Sequence, residues 1–264
     1  MIFSILFLTS RFAYSFDYFF QGTDWPDLCN QGTKQTPIDI EADLTVKILS
    51  NEPEYSWIEF HMQELGLQAN TDGGGYKFLG DFGSMTMYQG NLAIMSTKLV
   101  NFHFHSPSEN YLNGSQFDLE MHVVMEDEAK IYSHAVFGVL FKVEEGAFNT
   151  FIDKVAKAYY GNMIITLAEA FTSLQVKNYL QFSGSLTTPP CTENVFWIID
   201  TNVRKISPEQ FNFFNRMWAG NEKFAGGNGN NRMIQPINDR TVTHFIGFAN
   251  HFGYIGILLG FYLL

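Results

Sequence analysis

Between residues 84 and 200 the chain alternates short apolar runs with polar turns. The runs are rich in aromatic and β-branched residues and too short for helices, so 84–88, 99–105, 117–124, 134–142 and 195–200 read as strands. Helical spacing occurs in 149–158 and in 207–218, which opens Ser207-Pro208-Glu209-Gln210, a capping residue followed by proline in the first turn. No repeat, low-complexity segment or interdomain linker interrupts residues 25–240, and the glycine-rich stretches 73–75 and 226–230 read as a turn and a loop. Many strands, few helices and no strand–helix alternation predict a mainly β domain. Its centre is expected to be a large, twisted, mostly antiparallel sheet with a few short peripheral helices.

Candidate chemistry concentrates in one strand. In Asn101-Phe102-His103-Phe104-His105 the two-residue period turns His103 and His105 to one face and Phe102 and Phe104 to the other. The phenylalanines anchor the strand in a core, and the imidazoles form half of a metal site. His122 lies in the next strand, 117–124, at a hairpin-scale distance from His105, so the two strands are expected side by side. Three neutral imidazoles with a fourth position left open are the ligand set of catalytic zinc. Glu120 shares the face of His122, where a carboxylate takes the ring N–H of a ligand and fixes its tautomer. The blander reading is that such histidines are ordinary core or surface residues; His61, His134, His244 and His251 are read that way.

The ends of the chain bear on compartment. Residues 1–15 look like a brief secretory signal without its basic start, with a buried N-terminal strand as the alternative. Cys29 and Cys191 are inert buried thiols if the protein is cytosolic; if it is exported, they are able to pair and tie the N-terminal segment to a distant loop. Asn113-Gly114-Ser115 is a glycosylation acceptor in an exported chain and is equally plain turn chemistry. No charged residue occurs from Phe245 to Leu264, and the tail 244–264 is read as a membrane segment or an anchor signal. A hydrophobic share of 46%, including 27 Phe, fills a large core. With 16 basic against 27 acidic residues and no basic patch, nucleic acid is excluded as a partner.

A wider set of motifs resembles the alpha-class carbonic anhydrases. It comprises Trp25, Cys29, QTPIDI at 35–40, FHFHSPSE at 102–109, EMHVV at 120–124, SLTTPPCTE at 185–193 and QPINDR at 235–240, in family order over residues 15–243. The resemblance implies a carbonic anhydrase domain at 16–243, between the signal-like start and the apolar tail. It implies zinc held by His103, His105 and His122, and reversible hydration of carbon dioxide to bicarbonate and a proton by zinc-bound hydroxide. Thr187 would orient that hydroxide while donating its own proton to Glu109, and Thr188 would position the product. Asn101 would buttress His103, and Glu120 would buttress His122. Val124, Val136, Leu186, Val195 and Trp197 would form the apolar pocket for carbon dioxide. Cys29 and Cys191 stand where exported members carry a disulfide, which implies an extracytoplasmic protein, membrane-attached through its tail.

This chain departs from the family pattern where protons leave. The stretch 69–76 lacks the histidine common at the pocket mouth of fast members, which predicts turnover limited by proton release and rescued by small buffers such as imidazole. Asn101 replaces a glutamine and is expected to hold His103 more loosely; Asn110 replaces a histidine, and Met233 a proline. Phe16-Asp17-Tyr18 stands only in part for the customary N-terminal aromatic pattern. The alternative to catalysis is a carbonic-anhydrase-like structural or binding subunit of a membrane-associated assembly.

Overall fold

Alternation of side chains along each strand builds the two larger cores, one on either side of the main sheet. The computed structural model describes residues 16–67, 77–161, 163–171, 173–218 and 220–247. In chain order its main elements are β1 (Thr45–Leu49), β2 (Ser56–Met62), β3 (Gly83–Gln89), β4 (Leu92–His105), β5 (Leu119–Asp127), β6 (His134–Val143), α1 (Thr150–Tyr160), β7 (Asn178–Ser185), β8 (Glu193–Asp200), α2 (Pro208–Trp218) and β9 (Val242–Ile246).

These strands form a 12-stranded sheet in the order 175–176, β2, β3, β4, β5, β6, β8, β7, β9, β1, with Lys77–Leu79 pairing β4 and Arg204–Ile206 pairing β6. Pairing is antiparallel except for β6 with β8, β6 with Arg204–Ile206, and β9 with β1. The expected mainly β architecture, mostly antiparallel with few helices, is therefore what the chain adopts.

On one face Phe102, Phe104, Met121, Val123, Phe137 and Val139 are fully buried beneath the helices. Phe151 of α1 lies 5.9 Å from Phe102, and Phe214 of α2 lies 4.8 Å from Phe104, ring centre to ring centre. Each such aromatic contributes about 1.5–3 kcal/mol of burial, so β4 is held from behind. Both helices start as their sequences suggest: Asn149 accepts a hydrogen bond from Ile152 N, and Ser207 Oγ accepts from Gln210 N.

The elements differ from the sequence reading mainly at their ends. β4 begins at Leu92 rather than 99, because the chain turns at Gly90 and Leu92 pairs back onto Gln89. β5 starts at Leu119, since Phe117 N donates instead to Ser108 Oγ in the preceding turn. β9 continues through His244, Phe245 and Ile246, which pair with β7, so these residues assigned to the tail lie in the sheet. The signal-like start, the stretch 68–76 and the tail beyond residue 247 lie outside the described residues. Among the described residues, no helix is long and apolar enough to cross a membrane.

Candidate metal centre

The opposite face of the sheet carries the polar chemistry. β4 and β5 pair with His103 directly opposite His122 and His105 opposite Glu120, as adjacent antiparallel strands require. One nitrogen from each of His103, His105 and His122 falls within 4.8 Å of the others. These rings are set by what holds their remaining nitrogens. His103 Nδ1 lies 3.1 Å from Asn101 Oδ1, a direct contact although Asn101 is shorter than the family's glutamine. His105 Nδ1 lies 3.0 Å from the backbone oxygen of Asn230. His122 Nε2 lies 3.0 Å from Glu120 Oε1, in a contact too bent for a full hydrogen bond.

With those atoms engaged, Nε2 of His103, Nε2 of His105 and Nδ1 of His122 are left to converge. His105 Nε2 is buried and has no partner, a cost that a metal ion would remove. Burial, reinforced by repulsion within the cluster, holds His103 and His122 well below the usual imidazole range; burial also lowers His105. Neutral rings with free lone pairs suit a divalent cation, so the donor set fits zinc.

Around the cluster lies a second layer of polar contacts. Glu120 is fully buried; its Oε2 accepts from the backbone N–H groups of Glu109 and Asn110, and Oε1 from Asn110 Nδ2, all at 2.8 Å. Gly138 faces His122 across the strand pair, and a Cβ there would stand 3.1 Å from Glu120 Oε1 and 2.6 Å from Ile199, so glycine leaves room for the carboxylate. The loop carrying Asn230 comes close because residue 229 is glycine: φ is 147°, and a Cβ would fall 1.9 Å from Ser106 O.

Glu109 is also fully buried. Its Oε1 accepts from Arg232 N at 2.9 Å and lies 3.4 Å from His105 Nδ1. Burial pushes its carboxyl well above the usual range, while hydrogen bonds from Arg232 and Thr187 pull it down. Its Oε2 has no hydrogen-bond partner among the described residues. A cation among the histidines would act in the same lowering sense.

Thr187 is buried, and Thr188 O accepts from Cys191 N at 2.8 Å. Cys191 is disulfide-bonded to Cys29, 162 residues away, and both pack with Tyr18 and Trp25. The bond thus ties the N-terminal segment to the loop that carries both threonines. The expected pocket residues also meet: Val124, Val136, Val195 and Trp197 are buried in one cluster, with Leu186 against it and Trp197 at 4.9 Å from the His122 ring. Asn113 sits in an exposed turn, its Oδ1 accepting from Ala42 N.

Two supports were not singled out in the sequence. Asn230 acts through its backbone oxygen, which no side-chain pattern reveals. Arg232 sends its guanidinium to Gln35, Thr36 and Cys29 while its backbone N–H serves Glu109. His134 was read as structural or exposed, yet strand period puts it on the same face as Val136.

The eukaryotic-type carbonic anhydrase family model matches residues 21–246. A carbonic anhydrase of Neisseria gonorrhoeae is 32% identical over 222 residues, covering 81% of this chain and 79% of that protein. Dioscorin dioA3 of Dioscorea japonica is 27% identical over 245 residues, covering 88% and 82%. Among solved structures, the alpha-carbonic anhydrase of Thermovibrio ammonificans with the inhibitor sulfanilamide superposes with a TM-score of 0.64 at 29% identity, covering 82% of this chain and 89% of that one. The chain belongs to the eukaryotic-type carbonic anhydrase family.

Proposed function

We propose that this protein is a zinc-dependent carbonic anhydrase that interconverts carbon dioxide and water with bicarbonate and a proton. The observation carrying this reading is the convergence of one nitrogen each from His103, His105 and His122, with Asn101, the Asn230 backbone oxygen and Glu120 each within 3.1 Å of a ring's other nitrogen. Zinc bound there supplies Lewis acidity, which in this family lowers the pKa of water from about 15.7 to about 7 and so provides hydroxide at neutral pH.

The chain's own groups do the rest. Thr187 donates its hydroxyl proton to Glu109, an acceptor while ionised, and keeps only a lone pair for the attacking oxygen. That lone pair accepts the oxygen's hydrogen and aims its nucleophilic pair at the substrate carbon, a gain in orientation rather than in acidity. Val124, Val136, Leu186, Val195 and Trp197 offer carbon dioxide a dry apolar wall beside His122. Thr188 borders the place where bicarbonate forms and helps hold it before solvent displaces it. The Cys29–Cys191 disulfide supports an oxidising, extracytoplasmic setting.

The test is stopped-flow hydration by the full chain before and after chelation. Activity should vanish with the metal and return with one equivalent of zinc. A chain that binds zinc tightly yet leaves the uncatalysed rate unchanged would be a binding module and not an enzyme.

A further inference from the structure

Among the described residues, the buried polar side-chain atoms without a partner are His105 Nε2, Glu109 Oε2, His122 Nε2, Arg232 Nε and His134 Nδ1. The first three belong to the metal cluster, and Arg232 is fixed by its other nitrogens. His134 is left unexplained.

Register shows which way it faces. On β6, Val136 and Leu140 lie in the pocket-side cluster, whereas Ala135, Phe137 and Val139 lie in the helix-side core. His134 therefore shares the metal face. In the parallel pairing with β8 it sits opposite Val195, while Val136 sits opposite Trp197 and, on β5, Val124. His134 is thus one rung beyond the apolar wall, on the outward side from His122.

Lys77 links the two positions. Its strand pairs it directly with His103, and its charge acts on both His103 and His134. We propose that His134 is the proton-transfer residue of this enzyme, taking the proton released by carbon dioxide hydration through cavity water and passing it to solvent. The inference rests on the hydration reading above and goes beyond it by naming the exit group.

His122 faces Gly138, four residues along β6 from His134, which is about 14 Å at roughly 3.4 Å per residue. Direct transfer is excluded at that range, and hydrogen-bonded water must bridge it. A buried imidazole nitrogen without a protein partner is where such a chain would end, since a group of this kind is otherwise satisfied by water. The proton arrives on the lone pair of the neutral ring and leaves to water or buffer in the adjoining surface cavity of about 550 Å³. No other bond changes.

The charged and polar groups around the ring are Glu126 and Asp127 on β5, Lys130, Tyr132 and Ser133 in the following turn, Asn194 on β8, and Lys77. Burial lowers the His134 pKa, Glu126 raises it and Lys77 lowers it, leaving it below the usual value and the ring neutral at pH 7, ready to accept.

The experiment compares the zinc-loaded full chain with its His134→Leu and His134→Gln variants by stopped flow at low buffer. Each variant should lose about tenfold or more in kcat, the lower end of what a positioned acid–base group supplies. Their kcat/KM should hold, and imidazole should restore the variants far more than it stimulates the parent. Equal kcat in low buffer, or imidazole acting alike on all three, would overturn the proposal. In a second readout, NMR of the zinc-loaded parent should show the His134 ring titrating, at a pH below the unperturbed imidazole value of about 6.5 because burial lowers it; a ring that does not titrate refutes it independently of activity. Zinc-loaded parent with no hydration at all would sink the enzyme itself, an outcome distinct from a parent that turns over with or without His134.

Discussion

Glu120→Gln removes one charge and adds almost no volume, which makes it a sharp test of how the metal centre is tuned. The two backbone N–H groups of Glu109 and Asn110 both point at Oε2, so the glutamine carbonyl must take that place. Its NH2 then falls at the Oε1 position, facing Asn110 Nδ2 and His122 Nε2. Asn110 is not free to turn over without loss, because its Oδ1 already accepts from Ile38 N. His122 responds by carrying its proton on Nδ1 instead of Nε2, and Nδ1 is the nitrogen left for the metal. Loss of such an outer partner weakens metal affinity by about 10–100-fold, or roughly 1.4–2.8 kcal/mol at 1.4 kcal/mol per decade. The opposed amides should also lower the stability of the metal-free protein by about 1–3 kcal/mol. Zinc competition against a chromophoric chelator gives the affinity, and nitrogen NMR of His122 gives the tautomer. Affinity within about twofold of the parent, with Nδ1 still unprotonated, would refute the reasoning.

Other outcomes follow from the same contacts. In the zinc-free protein, burial lowers the pKa of His103, His105 and His122, so NMR titration should find all three below the unperturbed value of about 6.5. Because the unfolded chain then takes up protons first, their share of stability is complete above about pH 6.5 and drains as pH falls toward the folded values; rings titrating at or above 6.5 would contradict this. Replacing Cys29 and Cys191 together by alanine frees a loop of 162 residues. Chain entropy sets a ceiling of about 5 kcal/mol for that change and engineered cases give about 2–4, so denaturant unfolding should report a loss in this range; no change in midpoint would mean that the disulfide does not restrain the unfolded chain.

Much of the centre was legible because it is written in local spacing. Strand period alone puts His103 with His105, and Glu120 with His122, and those pairs are what the sheet presents. The pocket residues came instead from family likeness, since Val124, Val136, Leu186, Val195 and Trp197 are scattered over β5, β6, β8 and the loop after β7. Strands β1, β7 and β9 left weaker marks, because edge position or mixed burial blurs their alternation: β1 has no fully buried residue.

What the sequence determined by itself is a mainly β chain with an imidazole pair on one face of a strand and a third histidine one hairpin away. Only the tertiary structure decided that His103 stands opposite His122, that Asn230 lends a backbone oxygen to His105, and that His134 shares the metal face. The reason is physical: a side chain's face depends on its immediate neighbours, at a period of two. Register, and the approach of a loop 125 residues away, depend instead on which distant surfaces bury against one another.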